Sequence, residues 1–308
     1  MTQQRWTEQP EAGSTRLMQL MARIALGAGR PLARALLWPI AAYFWLAMPR
    51  ARRASRDYLQ RVLPHRPTMR DGLRHFHAFA SVLLDRIFLL AGRNHLFDIT
   101  LHGQASLEQA LARGDGAILV GAHFGSFECL RAIGRQQPGL RITLAMYERN
   151  AQRIGALLRS IDPALHLDVV ALGCVDSMLE LQSRLEQGHC VGFLADRSFA
   201  DDPVLALPFL GTPAPFPTGV FRIAAALQRP VLMMAGIYRG ANRYDVRLHA
   251  LTDFAQTPRQ ARSAAVESAL RQFTAQLEEH CREAPYNWFN FYDFWERESD
   301  SDGAQRSS

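Results

Sequence analysis

The chain has 308 residues, of which 48% are hydrophobic and 21% are charged, and its net charge is +6. This composition excludes a disordered or fibrous chain and is typical of a globular protein with a sizeable core. Every basic residue is arginine, which suits phosphates, anionic lipid headgroups or an acidic partner protein. The sequence carries no recognition-helix, zinc-finger or aromatic RNA-binding motif, so we do not expect a nucleic-acid partner.

The four cysteines, Cys129, Cys174, Cys190 and Cys281, are scattered along the chain. They lack the C-x-x-C or histidine-rich spacing that is typical of zinc sites, and they do not form a disulfide framework. We therefore expect no metal in this protein. Cys129 follows an acidic residue but shows no sign of thiol activation, so we interpret it as a buried small residue.

The N-terminal region divides into a polar stretch and an apolar one. Residues 1–13 are predicted to be disordered, and residues 14–56 to form a membrane-associating helical anchor. The uncharged part, residues 35–48, would span about 21 Å as a helix, short of a bilayer core of about 30 Å, and Pro39 interrupts it. The anchor is therefore expected to lie in the interface, unless it is a hydrophobic hairpin packed on the domain. Its aromatic and flanking basic residues are Trp38, Tyr43, Trp45, Arg30, Arg34, Arg50, Arg52, Arg53 and Arg56.

The rest of the chain alternates between strand and helix patterns. Residues 51–93 have apolar side chains at helical spacing, and a long helix is expected between Pro258 and Pro285. Short apolar runs connected by amphipathic stretches are typical of βαβ units, so we predict an α/β domain at residues 57–297 with a mostly parallel sheet flanked by helices. A disordered tail, 298–308, follows. The predicted strands are 97–102, 117–120, 142–146, 166–170, 190–195, 231–237 and 244–248, and the predicted shorter helices are 107–113, 127–135, 151–160, 175–186 and 220–227.

Two segments resist this pattern. Leu205–Gly219 contains four prolines and two glycines, which predicts an irregular but ordered loop lining an apolar site. Tyr286–Trp295 contains seven aromatic residues in ten. Such a run is either a flap over the core or a strip at a membrane interface, and the sequence does not separate the two.

One motif contains residues that could act in catalysis. It is His123-Phe124-Gly125-Ser126-Phe127-Glu128, which follows the predicted buried strand at residues 117–120. His123 and Glu128 would lie about 140° apart on a helix and on opposite faces of a strand, so they converge only if a turn intervenes. Gly125 permits that turn, and Ser126 suits the N-cap of the next helix. A carboxylate on one imidazole nitrogen would leave the other as a general base. The alternative is an ordinary loop histidine and a solvated acid.

Other polar residues follow neighbouring predicted strands. Arg149 comes after the strand at 142–146, and Asp196 and Arg197 after the strand at 190–195. Ligands of such sheets bind at the carboxyl ends of the strands, where His123 also lies. The coincidence favours a functional site at this edge.

Together these features resemble the bacterial lipid A late acyltransferases of the lysophospholipid acyltransferase superfamily. The resemblance runs from the N-terminal anchor to about residue 297. It rests on the order and spacing of several blocks, of which the first is similar to the superfamily's H-x-x-x-x-D/E motif. These blocks are Val120–Glu128, Tyr147–Asn150, Phe193–Arg197, Leu207–Gly211, Pro215–Gly219 and Arg229–Val231.

The resemblance implies transfer of an acyl chain from a thioester, on acyl carrier protein or coenzyme A, to a hydroxyl of a lipid A precursor or related glycolipid or lysolipid. It implies His123 as general base and Glu128 as its orienting carboxylate, with no cofactor. Asp196 is expected to position its turn. Candidates for holding acceptor phosphates or the oxyanion are Arg149, Arg159 and Arg197, and residues expected to contact the substrate are Phe124, Phe209, Gly211 and Phe216.

The resemblance also implies an anionic membrane surface as partner, at the cytoplasmic face of the inner membrane. The C-terminal segment departs from the family, because lipid A enzymes typically end in a basic Trp-rich stretch while Asn287–Trp295 includes Asp293. In this segment the chain looks closer to acyltransferases of aryl polyene and other specialised lipid pathways. A thioesterase on the same scaffold and a catalytically idle membrane-binding protein are the remaining alternatives.

Overall fold

The computed structural model describes residues 23–136, 139–147, 152, 168–173, 175–197 and 202–295. Within them the helices are α1 (Arg30–Ala35), α2 (Leu37–Ala47), α3 (Pro49–Val62), α4 (Met69–Leu90), α5 (Gln104–Leu111), α6 (Glu128–Gln136), α7 (Val175–Glu186), α8 (Gly219–Leu227) and α9 (Arg262–Glu283). The strands are β1 (Asp98–His102), β2 (Ala117–Gly121), β3 (Ile142–Tyr147), β4 (Val169–Leu172), β5 (Cys190–Leu194), β6 (Val204–Phe209), β7 (Thr212–Pro217), β8 (Pro230–Gly240) and β9 (Arg243–Asp253).

The described strands form a seven-stranded sheet in the order β1-β9-β8-β2-β5-β3-β4 and a two-stranded sheet of β6 and β7. In the large sheet every neighbouring pair is parallel except β8 and β9, which form an antiparallel hairpin. The mostly parallel α/β fold predicted from the sequence is therefore confirmed. Of the predicted helix at 151–160 only residue 152 is described, and it is helical; both predicted disordered ends lie outside the described residues.

Strand β2 lies at the centre of the sheet and is buried on both faces. Ile118 and Val120 enter one apolar cluster, with side chains of α3, α7, α8 and α9, whereas Ala117 and Leu119 enter a second cluster formed with α4, α5 and α6. The alternation follows from the two-residue period of a strand. Since apolar side chains face both layers, β2 is a continuous hydrophobic run, as expected for a parallel strand covered on both sides.

The helix predicted over 51–93 is two helices. Pro64 and Pro67 lie between α3 and α4, and proline removes a helical hydrogen-bond donor and restricts the residue before it. A new helix then begins at a capping box: the Thr68 hydroxyl accepts from the backbone N–H of Asp71, and the Asp71 carboxylate accepts from the backbone N–H of Thr68.

The segment predicted to be irregular is a hairpin of β6 and β7, which corrects our expectation for Leu205–Gly219. Three of its prolines, Pro213, Pro215 and Pro217, occupy alternate positions of β7. Alternate residues point their backbone nitrogens to the same side, so a proline-rich strand pairs on one edge and leaves the other edge without donors. The turn is made by Leu210 and Gly211, both at positive φ.

The apolar N-terminal helices pack on α4, and two of their arginines are tied to the domain. Arg30 makes a two-pronged ion pair with the buried Asp85, at 2.8 and 2.9 Å. Arg34 donates to the backbone carbonyl of Ala241 and to the Tyr238 hydroxyl. Both guanidiniums lie within ion-pair distance of this buried carboxylate, which their charge neutralises.

Among the described helices, none alone has the length and apolarity needed to cross a bilayer. One bent pair, residues 30–47 with 49–62, meets that test jointly, with a bend of 100° at the break.

The C-terminal aromatic segment covers the core. Trp288 is fully buried, and Phe289 and Phe294 are almost so. The Trp288 ring packs at 5.0 Å from Tyr58 of α3 and at 5.2 Å from Phe209 of β6, measured between ring centroids. Of the two interpretations left open by the sequence, the structure shows the core flap.

Candidate active site

Two neighbouring strands deliver the central pair of the site. Strands β2 and β5 are parallel, with Gly121 opposite Leu194, and the backbone N–H of Ala195 donates to the Gly121 carbonyl at 2.8 Å. His123 and Asp196 each lie two residues beyond these paired strand ends. In-register parallel strands thus bring the two side chains together, although 73 residues separate them in the chain.

Asp196 is the carboxylate that holds the His123 ring. Its Oδ1 lies 2.8 Å from Nδ1 of His123, and its Oδ2 accepts the backbone N–H of His123 at 3.0 Å. The indole Nε1–H of Trp288 donates to the same Oδ2 at 3.0 Å. Asp196 therefore contacts both the backbone of the turn and the imidazole of His123.

The charge state of Asp196 follows from these contacts. Burial by itself raises the pKa of this carboxyl, but the His123 ring and backbone N–H and the Arg197 guanidinium together lower it to about 2. Asp196 is thus an anion at neutral pH. An anionic partner on Nδ1 requires the Nδ1–H tautomer, which leaves the lone pair of His123 on Nε2.

The pKa of His123 lies below its ordinary value. Burial lowers it most, the nearby cations Arg197 and Arg86 lower it further, and Asp196 opposes them. The side chain is 31% exposed, whereas that of Asp196 is 1% exposed. The imidazole is therefore neutral at pH 7 and reachable from solvent, which are two requirements of a general base.

Glu128 does not make the contact predicted for it. It begins α6, and its Oε1 forms an ion pair with Nε of Arg86 on α4 at 2.6 Å, while the Ser126 hydroxyl lies 3.5 Å from Oε2. The carboxylate on Nδ1 of His123 is Asp196. The prediction that Glu128 orients the imidazole ring is therefore corrected. The pairing of β2 with β5 places the carboxylate of Asp196 against Nδ1 of His123, where Glu128 was expected.

The turn between His123 and α6 is held by backbone contacts from two directions. Gly125 has φ of 59°, and its N–H donates to the Asn287 carbonyl at 2.8 Å. The next N–H, of Ser126, donates to the Gly236 carbonyl at 2.8 Å, and the N–H of Phe289 donates to the His123 carbonyl at 2.7 Å. The C-terminal segment and β8 therefore fix the backbone of the turn that follows His123.

We expect Gly125→Ala to destabilise the fold by several kcal/mol. The substitution places a side chain at positive φ, and its Cβ would collide with the carbonyl oxygen of Gly236. Urea unfolding measures the effect. Gly219→Ala at the start of α8 is the control, because a Cβ there meets no atom within 4 Å; equal midpoints for the two variants would contradict the proposed constraint.

The predicted arginines differ in what the structure shows of them. Arg149 and Arg159 lie outside the described residues. Arg197 follows Asp196, donates to the Phe289 carbonyl at 3.0 Å, and stacks over the Tyr292 ring at 5.3 Å. Its cation lies close enough to lower the pKa of His123, so positive charge is present beside the imidazole.

The predicted apolar contacts are core residues in this structure. Phe209 and Phe216 are fully buried and pack edge to face, with 5.3 Å between their ring centroids. Phe124 is buried in the same cluster, and Gly211 is exposed at the hairpin turn. The three phenylalanines belong to the same apolar cluster as Trp288. Contact of any of them with a substrate stays a prediction.

The described thiols are buried, and none has the character of a nucleophile. Burial raises the pKa of Cys190 to about 12 and raises those of Cys129 and Cys281 further still. A thiol with a raised pKa is protonated at neutral pH and poorly reactive. Across the part of the chain that the structure describes, no group of three or more His, Cys, Asp or Glu side chains is arranged to hold a metal ion.

Sequence reasoning missed two contributors, Arg86 and Trp288. Arg86 lies on the helix at 69–90 and had no marker beyond its charge. Trp288 lies in the aromatic run, whose composition was visible although its contact with Asp196 was not. The signal for Asp196 was available: it follows a buried strand at the same distance as His123 does.

Comparison with known proteins agrees with the resemblance inferred from the sequence. The profile of the family described as bacterial lipid A biosynthesis acyltransferase matches residues 10–297. No match to a curated protein was found. Since the matched region covers nearly the whole chain, this protein belongs to the bacterial lipid A biosynthesis acyltransferase family and is an acyltransferase that acts on lipid substrates.

Proposed function

We propose that the enzyme transfers a fatty acyl chain from acyl carrier protein to a hydroxyl of a lipid A precursor or a related envelope glycolipid, at the cytoplasmic face of the inner membrane. The observation that carries the mechanism is the bond between Nδ1 of His123 and the buried, anionic Asp196. This pair leaves Nε2 of a half-buried, neutral imidazole to accept a proton.

The chemistry needs only a base, a site for the oxyanion and room for an apolar chain, because a thioester is already activated. Nε2 of His123 takes the proton of the acceptor hydroxyl as its oxygen attacks the thioester carbonyl. Negative charge develops on the carbonyl oxygen, and the cation of Arg197 favours it. The C–S bond then breaks, the ester remains on the acceptor, and the departing thiolate takes the proton from the His123 imidazolium.

Asp196 assists this cycle by stabilising the imidazolium that forms halfway through it. Glu128 acts in a second way, as the anion that holds Arg86 beside the site. Arg86 and Arg197 place two cations near the base. The acceptor that binds in this site carries phosphates, and these cations would hold them. Arginine suits that task because its guanidinium donates two parallel hydrogen bonds to a phosphate.

An apolar surface on the N-terminal helices supports membrane docking. Large side chains that are at least half exposed project from α1, α2 and the residue between them. Exposed arginines follow on α3, where anionic headgroups would meet them. The apolar residues are Leu32, Leu36, Trp38, Tyr43 and Leu46, and the exposed arginines are Arg50, Arg53 and Arg56.

We expect Leu46→Ser to weaken binding to vesicles of anionic phospholipid by about fivefold, since burying a leucine in an apolar phase contributes about 1.5–3 kcal/mol and this one would be only partly inserted. Flotation or sedimentation with the vesicles measures the partitioning. Leu179→Ser on α7 is a matched control, because Leu179 is 64% exposed and Leu46 is 65% exposed. Equal losses in both variants would argue against a specific docking face.

Mass spectrometry of envelope lipids tests the proposed function in cells. A deletion strain should lose one acyl mass from one lipid, and the wild-type gene should restore it while the His123→Ala gene does not. The lipid that changes identifies the acceptor and separates lipid A from an aryl polyene lipid or another specialised lipid. Restoration by His123→Ala would contradict the mechanism.

A further inference from the structure

The orientation of Asp196 depends on which donors meet each of its two oxygens. Oδ2 accepts two hydrogen bonds, from the backbone N–H of His123 and from the indole of Trp288, each at 3.0 Å. Oδ1 faces Nδ1 of His123 at 2.8 Å. Two donors that converge on one oxygen fix the plane of a carboxylate and aim its other oxygen.

The indole is itself held in place from several elements. Its ring packs against Tyr58, Phe209 and Phe294, at 5.0, 5.2 and 4.9 Å between centroids. The Trp288 carbonyl faces Nε2 of the buried His75 at 2.8 Å. Burial lowers the pKa of His75 to about 4, so this ring is neutral; it must donate from Nε2 and accept at Nδ1, where the Ser55 hydroxyl lies 2.8 Å away.

We propose that Trp288 is a positioning residue of the acyltransferase site: its Nε1–H holds Oδ2 of Asp196 so that Oδ1 stays bonded to Nδ1 of His123. The proposal rests on the proposed role of His123 as the base. On this proposal the C-terminal aromatic segment both covers the core and positions a residue of the site.

A positioning role has an electrostatic signature that packing alone lacks. The indole N–H draws negative charge from Asp196, so removing it leaves the carboxylate a stronger acceptor from the imidazolium and raises the pKa of His123. The charged groups that act on this ring are Asp196 and Arg197 beyond β5 and Arg86 on α4, and the substitution alters none of them directly.

The test is an NMR titration of His123 in the full-length protein labelled with ¹³C at histidine Cε1, the signal being assigned by its absence from His123→Ala. We expect Trp288→Phe to raise the pKa of His123 by about half a unit. Trp295→Phe is the matched control, because the Trp295 indole donates to the Phe209 carbonyl. An unchanged pKa in Trp288→Phe, or the same rise in both variants, would overturn the proposal.

A second replacement guards against a folding defect. Benzothienylalanine at position 288 keeps the two fused rings and substitutes sulfur for the N–H, so the packing is retained and the hydrogen bond is lost. We expect the same pKa rise, with kcat lowered about tenfold and KM within twofold of wild type. A folded variant with unchanged pKa and kcat would overturn the role of the indole. A wild-type protein that transfers no acyl chain would instead refute the proposed function, and the titration would still decide what Trp288 does.

Discussion

Asp196→Asn is expected to lower kcat on the order of 10³-fold while the protein stays folded. The reason lies in the two donors at Oδ2. An asparagine will place its carbonyl oxygen there, to accept from the His123 backbone N–H and the Trp288 indole, and will turn its NH₂ towards Nδ1 of His123. Nδ1 then becomes an acceptor and the ring proton moves to Nε2, which can no longer act as a base.

The pH profile of kcat/KM distinguishes a change at the His123 imidazole from a general loss of activity. Asp196 raises the pKa of His123, so removing its charge lowers that pKa further. The acid limb of kcat/KM, where the imidazole becomes protonated, should therefore move to lower pH in Asp196→Asn. Glu128→Gln is the comparison: it weakens the ion pair with Arg86 and lowers activity, and its acid limb should move less than that of Asp196→Asn, because the carboxylate on Nδ1 of His123 is retained. If the acid limb moved in Glu128→Gln and stayed in place in Asp196→Asn, Glu128 would be the carboxylate that orients the imidazole.

His123→Ala is expected to reduce acyl transfer at least about 10³-fold, because the acceptor hydroxyl loses its base. The variant should still fold. The side chain is 31% exposed, so its loss leaves a small cavity, and Asp196 keeps two of its three donors. We expect a cost of about 1–3 kcal/mol for the hydrogen bond removed from a buried carboxylate. Circular dichroism and thermal unfolding check the fold, and turnover near the wild-type rate would refute the mechanism.

The regular part of the fold was predictable from local pattern. The apolar runs at 117–120 and 190–195 are typical of parallel strands covered on both faces, and the structure has them as β2 and β5. Two features of the fold were not predicted from the local pattern. Pro64 and Pro67 divide a helix-like stretch, and the prolines of β7 suit a two-stranded hairpin because they share one edge. In both places the position of each proline mattered more than the number of prolines.

The site was predictable in its location but not in its pairing. The motif from His123 to Glu128 predicted a histidine just beyond a strand end, and the structure has His123 there. The partner carboxylate depends on strand order, since β2 and β5 are neighbours in the sheet while β3 and β4 lie between them in the chain. Local spacing favoured Glu128, whereas the register of Gly121 with Leu194 selects Asp196.

The contacts of the C-terminal segment also could not be predicted from local sequence pattern. Seven aromatic residues in ten predict burial either in a core or at a membrane interface. Only the fold reveals that Trp288 donates to Asp196, 92 residues away in the chain. Long-range hydrogen bonds of this kind leave no periodic signal in a sequence.

The most direct test of the central claim follows the acyl chain itself. Purified enzyme is given an isotope-labelled acyl thioester of acyl carrier protein together with a lipid A precursor in mixed micelles, and mass spectrometry locates the label. The account predicts label on the lipid in an ester bond, in equal amount to the thiol released, and neither product with His123→Ala. Label recovered as free fatty acid, or equal transfer by His123→Ala, would contradict it.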